Sequence, residues 1–149
     1  MVCIHILNGP NLNLLGTREP QIYGSDTLSA IETACHAHAN GLGATLIFEQ
    51  TNSEGTLIDQ IQCAGREADA LILNAAGYTH TSVAIHDALK AIPTFKIELH
   101  LSNPHARESF RHKSFVSPAV NGVICGFGAA GYRLAIDAAM AAVDDAASD

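Results

Sequence analysis

Five short apolar runs, at residues 2–7, 45–48, 70–73, 95–99 and 122–125, constrain this chain more than any other feature. Each is too short for a buried helix and long enough for a strand covered on both faces. Between them the spacing turns helical. Leu28, Ile31, Cys35 and His38 share one face, as do Leu57, Ile58 and Ile61, and then Ile85, Ala88, Leu89 and Ile92. Tyr132, Ile136, Ala139 and Val143 mark a last helix. Strand and helix in alternation predict a parallel sheet with right-handed crossovers and helices on both sides. The expected fold is therefore α/β, a flavodoxin-like three-layer sandwich with five strands. Such sheets bind ligands beyond the carboxyl ends of their strands, near the switch in strand order. The polar clusters of this chain fall after the runs, at Asn11 to Tyr23, Asn52 to Glu54, Asn74 to His80 and His100 to Arg111. Four loops are expected to converge on one rim.

A length of 149 residues, 48% of them hydrophobic, fits one soluble globular domain with a sizeable core. A net charge of −7 without any Lys/Arg run argues against nucleic acid or a membrane surface as partner. Cys3, Cys35, Cys63 and Cys125 are far apart in apolar surroundings and read as reduced core residues. No leader pattern or membrane-length segment is visible, so a cytoplasmic location is expected. His36 and His38 do not share a helical face and make a poor metal pair. GFGAAG at 126–131 matches a dinucleotide fingerprint, but only 18 residues follow, in one helical pattern. The strand and acidic residue that the fingerprint needs are missing, and the glycines read as a tight turn with close helix packing.

The loops nevertheless carry reactive groups. Tyr23 is the one tyrosine of the first loop, with Arg18 five positions before it. A free phenol titrates near 10, so only about 0.1% is ionised at neutral pH, and a neighbouring cation raises that fraction toward a usable base. A tyrosine packed on the rim beside a solvated arginine accounts for the spacing equally well. Glu98 and His100 alternate to the same side of a strand end, where a carboxylate fixes an imidazole tautomer and raises its basicity. A half-buried strand-end histidine is the plainer alternative. Asn74 and His80 precede a helix expected to start near Thr81 or Ser82. Arg107 and Arg111, four apart, suit one helical turn that binds a ligand oxygen or faces solvent. Asp87 lies off the Ile85, Ala88, Leu89, Ile92 stripe, as a surface carboxylate or a subunit contact would.

Taken in order, NGPNLNLLGTREPQIYG (8–24), QTNSEG (50–55), LNAAGYTHTS (73–82), ELHLSN (98–103) with HARESFR (105–111), and GVICGFGAAGY (122–132) resemble the type II 3-dehydroquinate dehydratases of the shikimate and quinate routes. The resemblance runs over essentially the whole chain and departs from the commoner pattern at Ser53, where many members carry His. It implies that Tyr23 removes a proton from 3-dehydroquinate, that Arg18 favours the phenolate, and that Asn11 holds a water against the enolate oxygen. It further implies that His100, oriented by Glu98, protonates the departing hydroxyl in an anti elimination. Asn74, His80, Arg111 and the backbone of Leu101 and Ser102 would bind the substrate. Asp87 would be lent by a neighbouring subunit of a trimer, commonly assembled into a dodecamer. No metal or organic cofactor is implied.

Two other classes fit parts of the pattern. A nucleotide- or flavin-binding module suits the fold, although the first loop lacks a Ser/Thr/Gly-rich phosphate cradle. A histidine-ligated metal hydrolase suits the histidine count alone.

Overall fold

The computed structural model describes residues 1–17 and 19–148. Five strands, β1 (Val2–Asn8), β2 (Ala44–Gln50), β3 (Ala70–Asn74), β4 (Phe95–His100) and β5 (Gly122–Cys125), form a sheet of order β2-β1-β3-β4-β5. Every pairing is parallel. The helices are a short α1 (Pro20–Tyr23), then α2 (Leu28–Gly41), α3 (Glu54–Glu67), α4 (Val83–Lys90) and α5 (Ala130–Ser148). The expected five-stranded α/β sandwich is the observed fold.

One apolar layer joins Ile31, Cys35 and Ala39 of α2 and Tyr132, Ala135 and Ile136 of α5 to Ile4, Ile6 and Ile72. The other joins Leu57 and Ile61 of α3 and Ile85 and Leu89 of α4 to Leu7 and Leu71. Both layers rest on side chains with no exposed surface, such as Ile4 and Ile72 in the first and Leu57 and Ile61 in the second. Burial of a side chain of that size is worth about 1.5–3 kcal/mol. Side-chain oxygens start the helices where the chain leaves extended conformation: Thr27 accepts from Ala30 N–H, Ser53 from Thr56 N–H and Ser82 from Ile85 N–H. Ser53, the departure from the commoner family pattern, thus serves as an N-cap.

Several expectations need correction. Strand burial on both faces holds for the central strands but fails at the edges, where Ile47 on β2 and Val123 on β5 are 41% and 50% exposed. The four long helices cover the middle of the sheet and leave one side of each edge strand bare. His38 lies off the buried face of α2 and reaches Asp137 of α5 at 2.6 Å, while Ala39 takes the core position. Of the four cysteines only Cys35 is buried; burial, helped by Glu32, pushes its thiol up to about 12. Helical alternation also stops after β4. Residues 101–121 form three 3₁₀ turns, Pro104–Ala106, Ser109–Arg111 and Ser117–Ala119, so Arg107 and Arg111 do not share one helical turn. Pro104 and Pro118 open two of these turns, where a missing N–H is tolerated, and Arg107 is extended between them.

The order of strands reverses between β1 and β3, the two that leave the sheet side by side in the centre. Gly9 makes that exit possible, because a Cβ there would meet Ala75 O at 2.6 Å. The GFGAAG segment is a turn followed by tight packing: Gly128 N–H donates to Leu101 O at 2.9 Å, and a Cβ on Gly131 would lie 3.0 Å from Leu99 Cδ1.

Candidate active site

Beyond the carboxyl ends of β1, β3 and β4 lies a cleft of about 150 Å3. Asn11, Tyr23, Asn74, His80, His100 and Arg111 all line it, as do Leu101 and Ser102. The geometry thus gathers most of the residues singled out in the sequence. Glu98 stands behind His100, and Asp87, exposed on α4, does not reach the cleft of its own chain. Arg18 lies outside the described residues.

The first loop leaves β1 through Asn11, whose φ of 70° is left-handed, a conformation that Asn adopts more readily than most residues. Asn11 N–H donates to Asn52 Oδ1 at 2.9 Å, and Gln50 Nε2 donates to the same oxygen at 3.1 Å. The second loop therefore braces the first and does not line the cleft, a correction to the expected four-loop rim. Tyr23 ends α1, and the Arg107 guanidinium carbon lies 5.0 Å from the centre of its ring. Arg107 also donates to Ser102 Oγ at 3.1 Å. This cation on the tyrosine face is the main cleft residue absent from the set of site residues drawn from the sequence, where Arg107 was weighed with Arg111 as a ligand-oxygen binder or a solvated face.

At the end of β4, His100 Nε2 meets Glu98 Oε2 at 2.5 Å, with Glu98 2% and His100 8% exposed. Burial works against the charge on Glu98, but bonds from His100, Ser117 and Ser114 outweigh it and hold the carboxyl below its ordinary range. Neither serine was visible as a site residue in the sequence. His80 stacks on His100, ring centres 6.5 Å apart and planes 16° apart. Its Nδ1 is 2.8 Å from Lys113 O, which can only accept. His80 therefore carries its proton on Nδ1 and turns a lone pair on Nε2 to other partners. Burial pulls its pKa below the usual histidine value, with the Lys113 bond working the other way and His100 and Arg111 adding to the fall.

Asn74 is 2% exposed and largely occupied: Oδ1 accepts from Ala76 N–H at 3.2 Å and Nδ2 donates to Tyr132 Oη at 3.3 Å. Tyr132 in turn donates to Asn8 Oδ1 at 2.7 Å. Asn8 and Asn74 are register partners on β1 and β3, so this buried chain ties the switch point to the floor of the cleft. The signal for it was two apolar strands each ending in asparagine. Arg111 lines the rim with Nε 2.7 Å from Glu108 Oε2. None of the three lysines, Lys90, Lys96 and Lys113, lines the cleft. Among the described residues no group of three or more His, Cys, Asp or Glu side chains is placed to hold a metal ion.

The family model described as dehydroquinase class II matches residues 2–140. This chain belongs to that family. Among similar proteins, the 3-dehydroquinate dehydratase of Dinoroseobacter shibae is 60% identical over 90% of this chain and 89% of its own. That of Phenylobacterium zucineum is 59% identical over 91% and 94%. The crystal structure of a type II dehydroquinase from Butyrivibrio crossotus superposes with a TM-score of 0.92 at 40% identity, covering 93% of this chain and 97% of that one. The resemblance drawn from the five sequence blocks is thus correct at the level of the class II dehydroquinases, as is the reading of the chain as an enzyme of that class. No described helix is long and apolar enough to cross a membrane.

Proposed function

We propose that this chain, acting as a single catalytic domain, dehydrates 3-dehydroquinate to 3-dehydroshikimate by anti elimination through an enolate. Tyr23 as phenolate takes the C2 proton, and the electron pair of that C–H bond moves onto the ketone oxygen. Donors fixed beforehand stabilise the enolate, in this reading a water held by Asn11. The pair then returns, the C1–O bond breaks, and His100 gives the leaving hydroxyl a proton from Nδ1 while Nε2–H stays on Glu98. Tyr23 ends protonated and His100 neutral, and exchange with solvent resets both.

The observation that carries this reading is the buried His100–Glu98 pair facing the same cleft as Tyr23. An imidazolium whose Nε2–H is held by a carboxylate has its Nδ1–H free to act as an acid. The arginines fit as well: Arg107 sets a positive charge on the face of the Tyr23 ring, and Arg111 suits the substrate carboxylate. Ser102, Leu101, His80 and Asn74 complete the binding surface. No step asks for a metal, an organic cofactor or a lysine Schiff base.

Assembly belongs to the same proposal. Asp87 and Val83 sit four apart on α4, both exposed, Val83 at 55%. A carboxylate beside an uncovered apolar side chain suits a subunit contact, which supports Asp87 being lent to a neighbour's cleft in a trimer-based dodecamer. A cytoplasmic location completes the reading. Adding 3-dehydroquinate to the purified protein should produce the ultraviolet absorbance of a conjugated enone. A flat trace would overturn the assignment, and a yellow preparation or activity lost to chelators would favour the flavin or metal readings.

A further inference from the structure

Behind the cleft, the carboxylate of Glu98 is gripped by a segment far along the chain. Ser114 Oγ lies 3.1 Å from Glu98 Oε2, and Ser117 Oγ donates to Glu98 Oε1. Ser114 Oγ also receives Val116 N–H at 3.1 Å and Ser117 N–H at 2.9 Å. A hydroxyl has two acceptor sites and one proton. Both acceptor sites of Ser114 are therefore taken by backbone N–H groups, and its proton is left for Glu98 Oε2. The same oxygen meets His100 Nε2 at 2.5 Å. With Ser117 donating to Oε1 and Ser114 to Oε2, both oxygens of Glu98 serve as acceptors, the arrangement that favours a carboxylate, and the hydrogen shared with His100 then belongs to Nε2. Nδ1 is then the nitrogen left for the reacting molecule.

The segment that imposes this order is itself fixed. Phe115 N–H donates to Thr79 O at 2.8 Å, and Phe115 O accepts from His86 Nδ1 at 2.7 Å. Val116 has no exposed surface and packs in the layer beneath α3 and α4. The serines cannot drift without pulling on α4 and on the turn that carries His80.

We propose that Ser114 and Ser117 are positioning residues of the dehydration: their hydroxyls polarise Glu98 as a pure acceptor, which keeps the Nε2–H of His100 on Glu98 whether the ring is neutral or protonated and leaves Nδ1 as the nitrogen that takes up a proton and passes it to the leaving hydroxyl. This rests on the reading of His100 as the acid. Neither serine lines the cleft, so each acts through Glu98 and His100. Other titratable or charged groups close to the pair are His80, stacked on His100, and His105, Arg111, His112 and Cys125 around a cavity of about 60 Å3 on the far side.

Ser117→Ala is the cleaner variant, because Ser117 Oγ serves no backbone N–H. It should lower kcat by roughly ten- to a hundredfold, the usual cost of losing a group that orients a reacting side chain, with KM within about twofold. The acid-side fall in kcat should move to higher pH, since Glu98 ionises less readily with one donor fewer. Ser117→Thr, which keeps the hydroxyl, should restore both. A Ser117→Ala enzyme with wild-type kcat and pH profile overturns the proposal. So does a fall in kcat with an unmoved acid limb and no rescue by threonine, which would mark a packing role only. The His100 ring 15N shifts give a readout independent of turnover. A single Nε2–H tautomer in the wild type that becomes mixed in Ser114→Ala supports the lock, and the same tautomer in both refutes it. Wild-type protein inert toward 3-dehydroquinate would sink the functional reading instead, leaving the tautomer to be decided by those shifts.

Discussion

The guanidinium carbon of Arg107 lies 5.0 Å from the centre of the Tyr23 ring, and the same side chain donates to Ser102 Oγ at 3.1 Å. One arginine therefore ties the loop after β1 to the loop after β4 across the cleft. It also sets a positive charge on the aromatic face, an attractive arrangement that strengthens as the ring gains negative charge. Arg107→Ala should lower kcat/KM by at least about tenfold. Arg107→Lys should recover little, because an ammonium cannot both lie flat on the ring and reach Ser102 in the same geometry. Initial rates of enone formation measure both; lysine at wild-type rates would reduce the requirement to charge alone.

Tyr23→Phe removes an oxygen and nothing else. If the phenolate takes the C2 proton, kcat should fall by at least about a hundredfold, the usual contribution of a positioned base. Tyr23 is only half-buried, so the thermal midpoint should change little. Exchange of the C2 proton with deuterated solvent should stop in parallel. Turnover that persists in the phenylalanine variant would move the base elsewhere in the cleft.

The pH dependence of stability follows from Glu98. Bonds from His100, Ser117 and Ser114 overcome the effect of burial and keep its carboxyl below the ordinary value of 4.5. A carboxyl depressed in the folded state adds stability above its unfolded pKa, and that addition is lost as pH falls through the folded value. Urea midpoints should thus hold on mild acidification and drop below the ordinary carboxylate range. Glu98→Gln should start less stable at neutral pH and lose less on acidification. Parallel curves for the two proteins would assign the acid sensitivity to other groups.

The scaffold was legible because the strands are short apolar-rich runs, and the two central ones stop at a polar residue, as Leu7 gives way to Asn8 and Leu73 to Asn74. Those transitions sit at the carboxyl ends where ligands bind, so the same residues announced the cleft. Glu98 and His100 were legible too, since alternation alone sends both to one side. The region from 101 to 121 was not, because three-residue turns broken by prolines carry no periodicity. Ser114 and Ser117 reach Glu98, and Arg107 reaches Tyr23, only through the path of that region. The edge strands misled for a different reason: Ile47 and Val123 look like core in sequence, but no helix extends over them.

Asp87 offers a test of assembly. It shares an exposed face of α4 with Val83 and stands outside its own cleft. Asp87→Ala should raise KM by a few-fold with less effect on kcat, and Val83→Glu should shift the protein to smaller species in analytical ultracentrifugation. A Val83→Glu protein that stays at wild-type size, together with an unchanged KM for Asp87→Ala, would remove this face of α4 from the interface.

Tyr132 is 1% exposed and carries the only hydroxyl in the chain of bonds between Asn8 and Asn74. Burial pushes its pKa up, so it is a neutral donor at any pH at which the protein functions. Tyr132→Phe keeps the ring in the apolar layer that holds Ile4, Ile72 and Leu99 but leaves Asn8 Oδ1 buried without this donor. Such an orphaned acceptor costs about 1–3 kcal/mol, readable as a lower urea midpoint with an unchanged slope. Asn74 loses its anchor as well, and with it the partner that holds Ala76 N–H at the start of the turn leading to His80. On the proposed binding role of Asn74 and His80, KM should therefore rise more than kcat falls, because the change loosens these cleft residues and removes no bond of the Glu98–His100 pair. A variant with lower stability and wild-type KM would confine Tyr132 to the core.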